Sequence, residues 1–138
     1  MEWRDGDLYV TTNVDELDFS MIHQYLSEVA YWSRGVTREK VERAVRHSLA
    51  FGLFQRGKQV GFARMITDAT TFAYLSDVFV LTGHQGQGLG KWLMQCIFSH
   101  LDLQGLRRIM LLTDDAHGLY EKFGFRSPAN PEMIMEKK

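Results

Sequence analysis

Residues Leu75–Ile97, L-S-D-V-F-V-L-T-G-H-Q-G-Q-G-L-G-K-W-L-M-Q-C-I, decide how this chain folds. The stretch leading into them and through Leu81 is apolar, β-branched and aromatic (Phe72, Tyr74, Leu75, Val78, Phe79, Val80, Leu81) and reads as a strand. Four glycines then fall within eight residues, at Gly83, Gly86, Gly88 and Gly90. After them Leu89, Leu93, Ile97 and Leu101 recur every four residues, which is one face of a helix. The expected order is strand, glycine loop, helix. A helix start carries unpaired N–H groups and the positive end of the peptide dipoles, and glycine lets a ligand approach the main chain without a Cβ in the way. Such a place suits a phosphate or pyrophosphate.

Two familiar phosphate loops are excluded by spacing. A Walker A loop needs glycine five residues before its Gly-Lys pair and Ser or Thr after it, but Gln85 and Trp92 stand at those positions around Gly90-Lys91. The dinucleotide fingerprint G-x-G-x-x-G, started from Gly86 and Gly88, puts Lys91 where its third glycine belongs. What remains is Gln85-x-x-Gly88-x-Gly90.

Outward from this centre the chain is ordinary in bulk. At 138 residues, with 45% hydrophobic and 24% charged side chains, it is expected to form one folded domain over residues 1–138. A net charge of −1 gives no basic excess of the kind nucleic-acid binding needs. Cys96 is the only cysteine, so no disulfide forms within the chain and a reducing cytoplasm is the expected setting. Glu2, Arg4, Asp5 and Asp7 crowd the start, no signal-peptide pattern opens it, and no apolar run reaches membrane-spanning length.

Before the centre, Leu8 to Val14 read as a first strand. Asp15 or Asp18 can cap a helix with the stripe Met21, Ile22, Tyr25, Leu26, Val29, ending near Tyr31-Trp32-Ser33-Arg34-Gly35. Two large aromatics beside a guanidinium in a loop either bind something or plug the edge of the core. Thr37 opens a second helix with Val41, Ala44, Val45 and Leu49 on its apolar face. Leu49 to Gln55 and Gln59 to Thr67 read as strands of a hairpin turning at Arg56-Gly57-Lys58. Beyond the centre, the helix is expected to run to about Leu103, with Gln104-Gly105 ending it. Arg107 to Thr113 read as a strand, and Asp114-Asp115 can cap a short helix from Ala116 to Lys122. Glu132 to Glu136 are expected to add a short last strand. A βαβ unit around the glycine loop makes its two strands parallel, so the sheet should be mixed α/β.

The glycine loop after a hydrophobic strand, followed some thirty residues later by Ala116-His117-Gly118-Leu119-Tyr120-Glu121-Lys122-Phe123-Gly124-Phe125, resembles the GNAT superfamily of acyl-CoA-dependent N-acetyltransferases over essentially the whole chain. The resemblance implies a three-layer fold: a mixed, mostly antiparallel sheet with a central βαβ unit and helices on both faces. It implies acetyl-CoA as co-substrate and no metal. Its pyrophosphate would sit on backbone N–H groups of Gln85, Gly86, Gln87, Gly88, Leu89, Gly90 and Lys91, and its pantetheine would lie along Phe79 and Val80. Thr113 stands where the family commonly has Asn, and Gln85 and Gln87 stand where it often has Arg. Tyr120 would act as general acid toward the leaving thiolate.

An attacking amine must lose a proton, and Asp77 is the first candidate base, because a carboxylate in an apolar strand is costly unless exposed, paired or used. It could equally hold an arginine such as Arg64 or attract the substrate's ammonium. His117 and Glu121 are weaker candidates. The family's acceptor region corresponds here to Tyr31, Trp32, Arg34, Phe72 and Asp77, which implies a small-molecule amine as partner. Acetylation of a protein N-terminus or lysine is the sister reading, and a non-catalytic acyl-CoA sensor is the alternative from another class. The loop aromatics are also compatible with a homodimer contact.

Overall fold

A computed structural model describes residues Met1–Lys138. Six strands form one sheet in chain order: β1 (Glu2–Asp5), β2 (Leu8–Thr11), β3 (Leu49–Gln55), β4 (Lys58–Thr67), β5 (Phe72–Val80) and β6 (Arg108–Leu111). Helices α1 (Phe19–Gln24) and α2 (Arg38–Arg46) lie between β2 and β3, α3 (Leu89–Ser99) connects β5 to β6, and α4 (His117–Glu121) follows β6. All neighbouring strands are antiparallel except β5 and β6, which the α3 crossover makes parallel. The βαβ unit thus forms one end of the sheet instead of its centre.

Alternation along the strands builds a core on each face. On β3, Phe51 and Leu53 join Leu75, Leu89, Leu93, Met94 and Ile97 beneath α3, while Ala50 joins Ile22, Leu26, Val41, Val45, Phe62 and Phe79 beneath α1 and α2. Tyr25, where α1 passes into a π turn over Tyr25–Val29, stacks on Phe79 with ring centres 4.0 Å apart. The side chains of Asp18 and Thr37 cap α1 and α2 by accepting from the Met21 and Lys40 N–H groups.

The sheet is irregular where β5 passes Asp77. Phe62 faces Phe79 and Arg64 faces Ser76, so Asp77 and Val78 together oppose Ala63 in a β-bulge. Asp77 carries φ of 56°, a left-handed backbone that Asp tolerates better than most residues. Strict alternation would have put this carboxylate on the face of Ala73 and Leu75, in the core. The extra residue turns it toward α2 and returns Val78 to the apolar side. On the other flank, β6 pairs with β5 only from Phe72 to Leu75. From Ser76 to Val80, β5 has no strand on that side, which leaves a wedge in the sheet's pairing.

Several expectations are corrected. The first predicted strand stops at Thr11 and pairs with β1, a charged edge strand that Leu8–Val14 alone did not reveal. Helix α3 ends at Ser99, and extended His100 separates it from a 3-10 turn at Leu101–Leu103. The last predicted strand is absent: Pro131–Met133 form a 3-10 turn, and the chain after it is exposed with no strand to pair with. Asp114 and Asp115 do not cap α4, which has no side-chain cap; the Thr113 hydroxyl instead closes the turn before it, accepting from the N–H groups of Asp115 (3.4 Å) and Ala116 (3.1 Å). No helix is long and apolar enough to cross a membrane.

Candidate active site

The glycine loop begins where β5 is pinned to β4 by the Leu81 N–H, which donates to the Val60 carbonyl at 2.8 Å. The Gln85 amide turns back and donates to the Val80 carbonyl at 3.0 Å, and His84 Nδ1 lies 3.0 Å from Gln55 Oε1. Those two contacts fix the loop against the ends of β5 and β3. Gly86 (φ 81°) and Gly88 (φ 77°) are left-handed, and a Cβ at Gly83, Gly86 or Gly88 would meet nothing within 4 Å. No side chain caps α3, whose first bond runs from the Trp92 N–H to the Gly88 carbonyl. The amides of Leu89, Gly90 and Lys91 therefore point out of the helix start into open space, with the exposed Lys91 in the first turn. This open, donor-rich helix start fits a phosphate-bearing ligand.

Tyr120 on α4 packs its ring into the α3-side core and against Phe125 at 6.0 Å. Its backbone carbonyl accepts from the N–H groups of Phe123 and Phe125, which anchor the residue. The side-chain hydroxyl has no partner in the chain, yet no buried side-chain polar atom is left unpaired, so the little of Tyr120 that is exposed includes that hydroxyl. Burial first, then the charge of Asp115 and the phenol of Tyr31, push its pKa up to about 12. Asp115 also helps burial to raise the pKa of Tyr25. Tyr25, Tyr31, Asp115 and Tyr120 thus share one electrostatic neighbourhood.

On the α2 side, Asp77 is fully engaged. Its Oδ2 accepts from Arg64 Nε at 2.7 Å and its Oδ1 from Trp32 Nε1 at 2.9 Å. Both members of the ion pair are mostly buried, with 16% of the Arg64 and 13% of the Asp77 side chain exposed. Arg64 Nη1 also donates to Ser48, which itself donates to the Ala44 carbonyl, so the pair is tied to the end of α2. Beside it lies a cavity of about 610 Å³ walled by Trp32, Ser33, Val36, the Lys40–His47 face of α2, Arg64, Ser76 and Asp77. Tyr31 meets Trp32 edge to face at 5.1 Å and links this wall to Tyr120.

The model of the acetyltransferase (GNAT) family matches residues 13–125. The chain belongs to the GNAT family. A crystal structure of a GNAT-family protein of Xanthomonas campestris pv. campestris superposes with a TM-score of 0.93 at 49% identity, covering 95% of this chain and 92% of that one. A Gibberella zeae protein named as an acetyltransferase is 36% identical over 142 residues, which cover 87% of this chain and 79% of that one. Serotonin N-acetyltransferase 2, chloroplastic, of Oryza sativa subsp. japonica is 30% identical over 115 residues, 79% of this chain and 56% of that protein. The protein is a GNAT-type N-acetyltransferase.

Within this GNAT fold the residues singled out from sequence divide in two. Tyr31, Trp32, Asp77 and Tyr120 come together around the wedge, and Gln85 to Lys91 form the loop and first helical turn. Phe72 lies five residues before Asp77, about 17 Å along an extended strand, and does not line the cavity. Arg34 also lies off the lining and donates to the Glu28 carbonyl at 3.3 Å. Lys40, Arg43 and His47 escaped the sequence reading, although their spacing puts them on one helical face beside Ala44. No group of three or more His, Cys, Asp or Glu residues is arranged to hold a metal ion.

Proposed function

We propose that this enzyme transfers the acetyl group of acetyl-CoA to the primary amine of a small molecule by direct attack in a ternary complex. The observation that carries the reading is the arrangement along β5. An open amide surface at its C-terminal end, a flank with no paired strand from Ser76 to Val80, and a partly open cavity beside Asp77 lie along it. The family generally uses acetyl-CoA, and bound here it would supply the acetyl thioester. Backbone amides from Gln85 to Lys91 would hold its pyrophosphate, and the flank around Phe79 and Val80, which has no paired strand and where Gln85 holds the Val80 carbonyl, would receive its pantetheine arm.

Orientation of the amine against the thioester carbon is the main catalytic contribution, worth several kcal/mol. As the new C–N bond forms and the C–S bond breaks, the Tyr120 hydroxyl gives its proton to the departing thiolate. A phenol held at about 12 is protonated at neutral pH and ready for that role. Asp77 already accepts from Arg64 and Trp32, which favours a role in setting the cavity wall and attracting the ammonium; the amine's proton then leaves to water. A cavity of about 610 Å³ suits a compact acceptor, and the rice relative named for serotonin supports a small amine.

The test is calorimetric titration with acetyl-CoA, followed by thiol release with and without a panel of amines. Saturable binding and amine-dependent release that Tyr120→Phe suppresses are the expected results. Absence of acetyl-CoA binding would overturn the assignment of the loop.

A further inference from the structure

The acceptor cavity has an electrostatic bias that the chain as a whole lacks. Three cationic side chains, Lys40, Arg43 and Arg64, and one histidine, His47, line it against a single carboxylate, Asp77. That carboxylate is already bonded to Arg64 and Trp32. The chain overall carries −1, so the positive lining is local.

The state of the other α2 cations sharpens the point. Arg38 pairs with Glu42 at 3.6 Å and donates to Ser20, and Arg46 lies over the Phe19 ring at 5.3 Å. Lys40 and Arg43, which face the cavity, have no carboxylate within ion-pair distance, and neither their side chains nor that of His47 makes a hydrogen bond within the chain. Arg38 and Arg46 are engaged within the protein and Arg64 is held by Asp77, whereas Lys40 and Arg43 are exposed on the cavity wall with no partner in the chain and are free to meet a ligand. Leu26, Val36, Val41, Ala44 and Val45 supply the apolar part of the same lining.

We infer that the acceptor is an amine bearing an anionic group, a carboxylate or a phosphate, at the end opposite its amino group. The anion sits on Lys40, Arg43 and His47, and the ammonium is directed toward Asp77 and the wedge. Charge-assisted bonds of this kind are stronger than neutral ones, and a guanidinium can take either anion in two-point contact. This inference rests on the acetyltransferase reading and names the substrate class of the same site.

The experiment compares matched acceptors: 4-(aminomethyl)benzoate against benzylamine for a carboxylate, and phosphoethanolamine against ethanolamine for a phosphate. Thiol release is measured for the wild type, for the double variant Lys40→Gln/Arg43→Gln, and for Arg38→Gln as a control on the same helix. Inorganic phosphate is also titrated calorimetrically into each protein with coenzyme A saturating the glycine loop, which needs no turnover. The expected result is a kcat/KM preference of about tenfold or more for an anionic member, carried mainly by KM, and the pair that shows it tells carboxylate from phosphate. The double variant is expected to collapse that ratio and weaken phosphate binding, and Arg38→Gln to keep both. Equal use of charged and neutral amines, the same loss in Arg38→Gln, or phosphate binding unchanged in the double variant would each overturn the inference. Failure of acetyl-CoA to bind would instead strike the acetyl-transfer reading, with the phosphate titration still deciding the charge of the cavity.

Discussion

Tyr120 and Asp77 are both polar groups placed among apolar neighbours, and they are stabilised in opposite ways. The Tyr120 hydroxyl has no partner, and its neutral form is held by burial and by the charge of Asp115. Replacing it with Phe keeps the packed ring and removes the proton donor. We expect Tyr120→Phe to lower kcat roughly 100-fold or more with little change in melting temperature, as read by thiol release and thermal unfolding. Asp77, by contrast, is charged and twice bonded within the protein. Asp77→Asn keeps an acceptor for Trp32 and a residue type that tolerates positive φ, but strands the mostly buried Arg64 guanidinium without its counterion. The expected cost is about 3 kcal/mol in urea unfolding. Under the anchoring role, KM for the amine rises in this variant more than kcat falls. A large fall in kcat with stability unchanged would return Asp77 to the role of base.

Gly88 ends the loop and starts α3, and both tasks need its missing side chain. An alanine there would strain a left-handed backbone by about 1–2 kcal/mol and project a methyl group into the space above the helix start. Gly88→Ala is therefore expected to weaken acetyl-CoA binding by a larger factor than it lowers stability, a comparison made by calorimetry and urea unfolding on the same sample. This loop was legible from Leu75–Ile97 because glycine spacing and helical period are local signals. The helices around Met21–Val29 and Val41–Val45, the hairpin at Arg56-Gly57 and the strand from Phe72 were legible for the same reason, although Leu49, expected on the second helix, begins β3 instead. Strand β1 was not, since an exposed edge strand carrying Glu2, Arg4 and Asp5 has no apolar alternation to read. The bulge at Asp77 was visible only as an acid in an apolar run, because a register shift depends on the partner strand. Lys40, Arg43 and His47 look like an ordinary solvated helix face until β4 and β5 close the other side of the cavity.

Across the whole molecule, the same two-faced packing makes stability depend on pH at both ends. His100 lies at the end of α3 against Trp3 and Phe51, and its Nδ1 accepts from the Asp102 N–H at 3.0 Å, which requires that nitrogen to be unprotonated. Burial holds its pKa below the ordinary 6.5. The unfolded chain thus takes up a proton there before the folded one does, so stability present above pH 6.5 is lost as pH falls through the folded value. On the alkaline side, burial pushes Cys96 up to about 11 and, with Asp115 and Tyr31, Tyr120 up to about 12. Their unfolded counterparts ionise near 9 and 10, so stability is lost as pH rises through that range and on toward 12. The melting temperature should therefore show a plateau between about pH 7 and 9 and fall on either side. His100→Asn offers a side-chain oxygen in place of Nδ1 and cannot titrate. It is expected to flatten the limb between about pH 7 and 5 while leaving the alkaline limb as it is. An acid limb of unchanged slope in that variant would assign the loss to carboxylates, beginning with Asp68, whose pKa is held low by the N–H groups of Thr71, Thr70 and Phe72 and the Thr71 hydroxyl.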